Sequence, residues 1–239
     1  MNSCNLLTIG SLFYSILLMI VFFTKRRLSS IENRVYGALI ISNFIGVVIA
    51  IACYITVSNY ETLAVLNYIV SRLYLIYLVF FIFVFFYYLI TILYQNKKVV
   101  NYSLNFLIMA FLIISLVIFG LPLYYHNTDG AVYSYGPAAN LVYVIATICM
   151  VTWSLLLIKN YKSIKNKKFL PIILFIVGAM VVTIVQKLNP SLLLMTSMET
   201  FVTVIMYFTI ENPDLKMLES YHDAKQYAED LNIEKQMFI

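Results

Sequence analysis

The chain has 239 residues, of which 62% are hydrophobic and only 11% charged, with a formal net charge of +5. A soluble domain of this size has too little interior to hide that much apolar side chain, which makes lipid the solvent and helices the spanning elements, because backbone groups in hydrocarbon must be satisfied internally. The apolar runs are continuous and not alternating, which excludes a membrane β-barrel, and the basic surplus comes from loop lysines and does not point to nucleic acid.

Seven apolar stretches follow one another at 5–24, 35–57, 63–94, 104–125, 138–158, 169–186 and 190–208. Each is long enough for a helix to cross a ~30 Å hydrocarbon core. The first has no basic residue ahead of it and no small-residue cleavage site behind it. Lys25-Arg26-Arg27 follows instead, so it reads as a retained helix and not as a signal peptide. Alternate connections carry the cations: Lys25, Arg26, Arg27 and Arg34, then Lys97 and Lys98, then Lys159, Lys162, Lys165, Lys167 and Lys168. The opposite set holds only Lys187 outside the apolar stretches. Basic residues in short loops stay on the cytoplasmic side, so the N-terminus is expected outside and everything after Glu211 inside. The expected fold is an all-α membrane protein: a seven-transmembrane helix bundle over 1–210, then a cytoplasmic coiled-coil signalling helix over 211–239.

Two ionisable residues fall deep in the apolar stretches, Arg72 in the third and Glu199 in the seventh. Such groups are costly in hydrocarbon, usually face the bundle interior and often serve function. Arg72 lies nine residues beyond Leu63 and Glu199 nine beyond Pro190, ~13 Å in each case at 1.5 Å per residue, so the two are candidates for an ion pair. Thr196, Glu199, Thr200 and Thr203 follow the i, i+3, i+4, i+7 spacing of one helix face. Asn67 and Ser71 give the third stretch a polar side near Arg72, and Asn43 in the second is a further candidate beside Ser42 and Gly46. Two readings stay open: a structural clamp that fixes helix packing, or an outward-facing pocket that binds a polar ligand or acts as a switch.

The longest outer connection, 124–137, carries four tyrosines, an Asp129-Gly130 turn signal and a Gly136-Pro137 break. Its tyrosines read as an interfacial aromatic belt or as a ligand-contacting lid. Cys4, Cys53 and Cys149 form no spaced framework and read as buried free thiols, with a Cys4–Cys53 disulfide the alternative. His126 and His222 lie on opposite expected sides, so no metal set is expected. No HExxH, GxSxG or Gly-rich phosphate loop occurs, and no catalytic residue or cofactor is assigned within the chain.

Glu211-Asn212-Pro213-Asp214 ends the seventh stretch, since Pro213 cannot continue the hydrogen-bond ladder and pushes Asn212 out of helical geometry. Beyond it Met217, Tyr221, Ala224, Ala228, Leu231 and Phe238 fall on alternating four–three spacing, with Lys235 as the polar interruption. This is the a/d seam of a short coiled coil. An amphipathic helix along the membrane or a solvated tail is the alternative.

A seven-helix region that ends in Tyr207-Phe208-Thr209-Ile210-Glu211-Asn212-Pro213-Asp214-Leu215-Lys216 and runs into a heptad helix resembles the N-terminal sensor part of bacterial sensor histidine kinases. The resemblance covers the whole chain in architecture and is specific at the Asn212–Leu215 junction and the tail; the closing Phe238-Ile239 is similar to the start of the phosphoacceptor segment. It implies a signal-input domain of a two-component system in the bacterial plasma membrane. Asn212, Pro213, Met217, Tyr221, Ala224, Ala228 and Leu231 would couple signal to a homodimeric helix. It further implies an output kinase beyond Ile239 that would use ATP and Mg, a response regulator as partner, and membrane lipids and an unknown small ligand or peptide as the input's partners. No kinase motif is present here, and His222 sits in the linker and not in a phosphoacceptor box. The same membrane module also precedes other output domains, diguanylate cyclases among them. The alternative from another class is a small transporter or carrier that uses the Arg72/Glu199 region.

Overall fold

The computed structural model describes residues 3–25, 30–94, 96–128, 131–160, 170–189, 194–212, 217–218, 221 and 224–229. At 3–5, 127–128, 131–132, 170–171 and 210–211 it describes the backbone alone. The elements are α1 (Ser3–Thr24), α2 (Ile31–Ser58), α3 (Ala64–Leu93), α4 (Lys97–Gly120), β1 (Tyr124–Thr128), β2 (Ala131–Tyr135), α5 (Pro137–Lys159), α6 (Leu170–Leu188) and α7 (Met195–Met206). A π-helical turn, Tyr207–Glu211, continues α7.

The helices α1 to α5 are long and apolar enough to cross a membrane, whereas Ile172–Leu188 of α6 is a shorter apolar helix. The described α7 has 12 residues before its π turn, and residues 190–193, which the expected seventh stretch includes, lie outside the described residues. The starts of α2, α4 and α5 follow capping chemistry. The Ser30 hydroxyl accepts from the Asn33 N–H at 3.1 Å ahead of α2, the Asn96 side chain accepts from the Lys98 N–H at 3.0 Å ahead of α4, and Pro137 opens α5 where its missing N–H costs nothing. Hydroxyls on lipid-length helices close onto their own backbone. Ser11 donates to the Leu7 carbonyl, Ser115 to Phe111 and Thr152 to Ile148, which keeps these hydroxyl hydrogens out of hydrocarbon.

α3 is the central helix, with 67% of its most apolar window buried, against 11% for α4. It packs on α2, α4 and α5, and α7 closes the bundle against α1, α2 and α6. Aromatic rings mark the core. Phe85 of α3 meets Phe175 of α6 with centroids 4.0 Å apart and Trp153 of α5 at 5.1 Å, and Tyr36 of α2 lies edge-on to Phe22 of α1 at 5.1 Å. Gly178 of α6 leaves room for the terminal methyl of Met198, which a Cβ there would overlap.

The long apolar helices agree with the expected helical membrane bundle, and the 124–137 connection adds an antiparallel hairpin, β1 with β2, in register from Tyr124↔Tyr135 to Thr128↔Ala131. Residues 129–130, which carry the Asp-Gly turn signal, join the strands and lie outside the described residues. Cross-strand rings face one another as such pairs do: Tyr124 with Tyr135 at 5.6 Å and His126 stacked on Tyr133 at 4.8 Å. Gly136 leaves the hairpin at φ 121°, the left-handed region that favours glycine. A Cβ there would also meet the Tyr124 ring at 2.9 Å. The hairpin lies on the α2 and α5 ends.

Past the bundle, Asn212 has φ −60° and ψ 116°, the extended geometry imposed on a residue before proline. Pro213 and Leu231, and with them residues 213–216 and 230–239, lie outside the described residues, as do Arg26, Arg27, Lys162, Lys165, Lys167 and Lys168. Of the seam positions, Met217, Tyr221, Ala224 and Ala228 are helical and exposed in the single chain. Lys225 and Glu229 form an i,i+4 ion pair at 3.8 Å on the tail's surface.

Candidate functional site: a buried polar chamber on α7

Candidate residues grouped as one set by the sequence reading separate into two clusters. The deep cluster is built on α7. Thr196, Glu199, Thr200 and Thr203 are all buried, as their spacing requires of one inward face. The Glu199 carboxylate accepts from the Tyr77 hydroxyl of α3 at 2.5 Å. The Thr200 hydroxyl reaches the Asn43 side-chain oxygen of α2 at 3.1 Å and the Thr196 carbonyl at 2.9 Å. Thr203 closes onto the Glu199 carbonyl at 2.6 Å, while its own carbonyl accepts from the Tyr36 hydroxyl of α2 at 2.6 Å. Tyr77 reaches Glu199 because Gly46 has no side chain: a Cβ at Gly46 would fall on the Tyr77 phenol.

Glu199 lies between two small cavities. The one toward the hairpin has a volume of about 60 Å³ and is lined by Tyr74, Tyr143 and Gln186, with Tyr133 and Ser134 of β2 at its outer end. The other, about 20 Å³, is bounded by Trp153, Thr183 and Met195. Among the described residues the Thr183 hydroxyl and the Trp153 indole N–H are buried without a hydrogen-bond partner, while the Tyr74 hydroxyl faces that of Thr196. Unpaired polar groups at such depth cost about 1–3 kcal/mol each, so a polar atom in the chamber would be stabilised there. The first cavity exceeds the ~10–15 Å³ that one water needs.

The second cluster lies toward the hairpin. Ser71 donates to the Asn67 side-chain oxygen at 3.0 Å and has the Cys53 sulfur 3.7 Å away. Cys53 and Cys149 are buried free thiols; the side chain of Cys4 lies outside the described residues. Arg72 does not pair with Glu199, which corrects the proposed ion pair. Its Nε donates to the Phe119 carbonyl at 3.3 Å, Nη2 to the Leu121 carbonyl at 3.1 Å and Nη1 to the Tyr68 carbonyl at 3.4 Å, and the guanidinium lies 3.7 Å over the Tyr68 ring. The reason is the end of α4. A helix C-terminus leaves carbonyls without intrahelical donors, and Pro122 has no N–H to offer them. A forked cation fills that need and complements the helix dipole. The Tyr125 phenol of β1 faces the same cluster. Burial raises its pKa, against the pull of Ser71 and Arg72.

Sequence reasoning missed Tyr74, Tyr77, Tyr143, Thr183 and Gln186. A signal existed for Tyr74, which continues the Asn67, Ser71 face of α3 at i+7. Among the described residues no group of three His, Cys, Asp or Glu is placed to hold a metal ion. No protein-family model, curated protein or solved structure matches the chain. Fold and site therefore define a class: a helical bundle with the apolar helices of a membrane protein and a buried carboxylate in a polar chamber.

Proposed function

We propose that the chain is the signal-input domain of a bacterial two-component sensor histidine kinase, seven-spanning in the plasma membrane with its N-terminus outside and its C-terminal helix in the cytoplasm. A small polar ligand or membrane-derived stimulus acts at the Glu199 chamber, and the response passes through the end of α7 and the Asn212-Pro213 junction into a homodimeric helix that drives the output domain. The carrying observation is that the helix bearing the chamber's carboxylate also continues, through Tyr207–Glu211, toward the polar tail. A change of packing at Glu199 reaches the Asn212-Pro213 junction along a single element. The unpaired polar atoms of Thr183 and Trp153 support a ligand in the chamber, and the hairpin residues Tyr133 and Ser134 support its entry from outside.

The test is autophosphorylation of the full-length gene product in nanodiscs, wild type against Glu199→Gln. Phosphorylation that shifts with the substitution supports a kinase input switched at Glu199. Phosphorylation indifferent to it reduces Glu199 to packing, and a gene without an ATP-binding domain after Ile239 sinks the kinase reading and favours a carrier.

A further inference from the structure

A second concavity, away from the chamber, has a different chemistry. Between α2, α3 and α4 runs an open groove of about 290 Å³. Phe80, Phe83 and Val84 of α3 form one wall and Leu104, Ile108 and Phe111 of α4 the other, with Ala38 of α2 at its side. Arg34 and Tyr87 lie at one end, within electrostatic reach of each other. The Arg34 guanidinium is exposed, and among the described residues it makes no ion pair. Glu32, the acid nearest in sequence, is two residues away on α2 and projects elsewhere on the helix, and no acidic side chain lines the groove.

The topology gives that end its charge. α2 starts there, α3 ends there and α4 starts there with Lys97 and Lys98, both exposed. Two lysines at a helix N-terminus oppose the macrodipole, so helix stability does not account for them; retention of basic loop residues on the cytoplasmic side, where the lipid surface is anionic, does. From Leu104 to Phe111 the groove runs seven residues, ~10 Å along α4, within the ~15 Å that one leaflet contributes to a ~30 Å core. The outward face of α4 is apolar as well, with Phe106, Met109 and Leu116 at least 60% exposed, so the groove opens onto acyl chains and not onto water.

We infer that this groove is a binding site for an anionic phospholipid, one acyl chain lying along Phe80, Phe83 and Ile108 and the phosphate on Arg34. The site is independent of the Glu199 chamber and does not rest on the kinase reading.

The experiment is native mass spectrometry of the full chain released from nanodiscs of equal phosphatidylglycerol and phosphatidylcholine, counting retained lipid. Wild type is expected to retain phosphatidylglycerol over phosphatidylcholine. Arg34→Gln should cut that preference about fivefold, the effect of one basic residue at an anionic surface. Ala38→Trp, which fills the groove and keeps Arg34, should abolish the retained lipid. Both positions are exposed, and circular dichroism confirms that each variant is folded. Equal retention of the two lipids by wild type, a preference that survives Arg34→Gln, or retention unchanged by Ala38→Trp would each overturn the inference.

Discussion

Tyr77 reaches Glu199 through a gap that one hydrogen atom on Gly46 leaves open. Gly46→Ala places a methyl where the phenol sits, and overpacking of this kind costs about 1–3 kcal/mol. Tyr77→Phe keeps the ring and removes the one hydrogen bond to the carboxylate among the described residues, which costs about 1–3 kcal/mol for a buried acceptor left bare. The two effects share one contact. The double variant should therefore be less destabilised than the sum of the singles, measured by thermal unfolding in a fixed detergent; strict additivity would show that Gly46 does not position Tyr77. Arg72 makes a different prediction. If its work is to hold the end of α4, Arg72→Gln should speed amide exchange over 117–121, and Arg72→Lys should restore protection only in part, because an ammonium lacks the planar fork. The charge swap Arg72→Glu with Glu199→Arg should rescue nothing. Rescue would mean that the two residues meet in some other state of the bundle.

At the scale of elements, the hairpin is the feature that composition hides best. Ten strand residues in a chain dominated by apolar helices leave no mark on the average, yet Asp129-Gly130 and the tyrosines on either side were visible as a turn with aromatic flanks. Gly136→Ala should destabilise by more than about 1 kcal/mol, since its φ of 121° is closed to alanine and its Cβ meets Tyr124; proteolysis of the outer connection at graded protease concentrations would report it, and unchanged resistance would count against a strained exit. The polar face of α7 was legible because a 3.6-residue period needs no partner to be seen: Thr196, Glu199, Thr200 and Thr203 are all buried. What faces them was not legible. A tyrosine reads as an apolar ring until something across from it accepts its hydroxyl, so the sequence alone does not single out Tyr74 and Tyr77. The partners of Arg72 are illegible for a related reason: they are main-chain carbonyls at a helix end, which no pattern of side chains in the sequence marks.

For the whole molecule, a bundle that signals through α7 must hand its state to the tail. Insertions between Leu215 and Ala224 are then expected to alter output with helical phase, three or four residues nearly restoring the seam and two not, read as phosphorylation of the full-length product; output that ignores insertion length would rule out transmission by a rigid helix. The π turn at Tyr207–Glu211 has a bearing on this. A turn that closes onto the fifth residue back and not the fourth carries one more residue than an α turn. Were it to tighten to α geometry, every residue beyond it would swing by about 100°, one residue's share of a 3.6-residue turn. The end of α7 thus holds an angle in reserve, and a tail attached to it would be turned far more than the ~1.5 Å rise of one residue would push it.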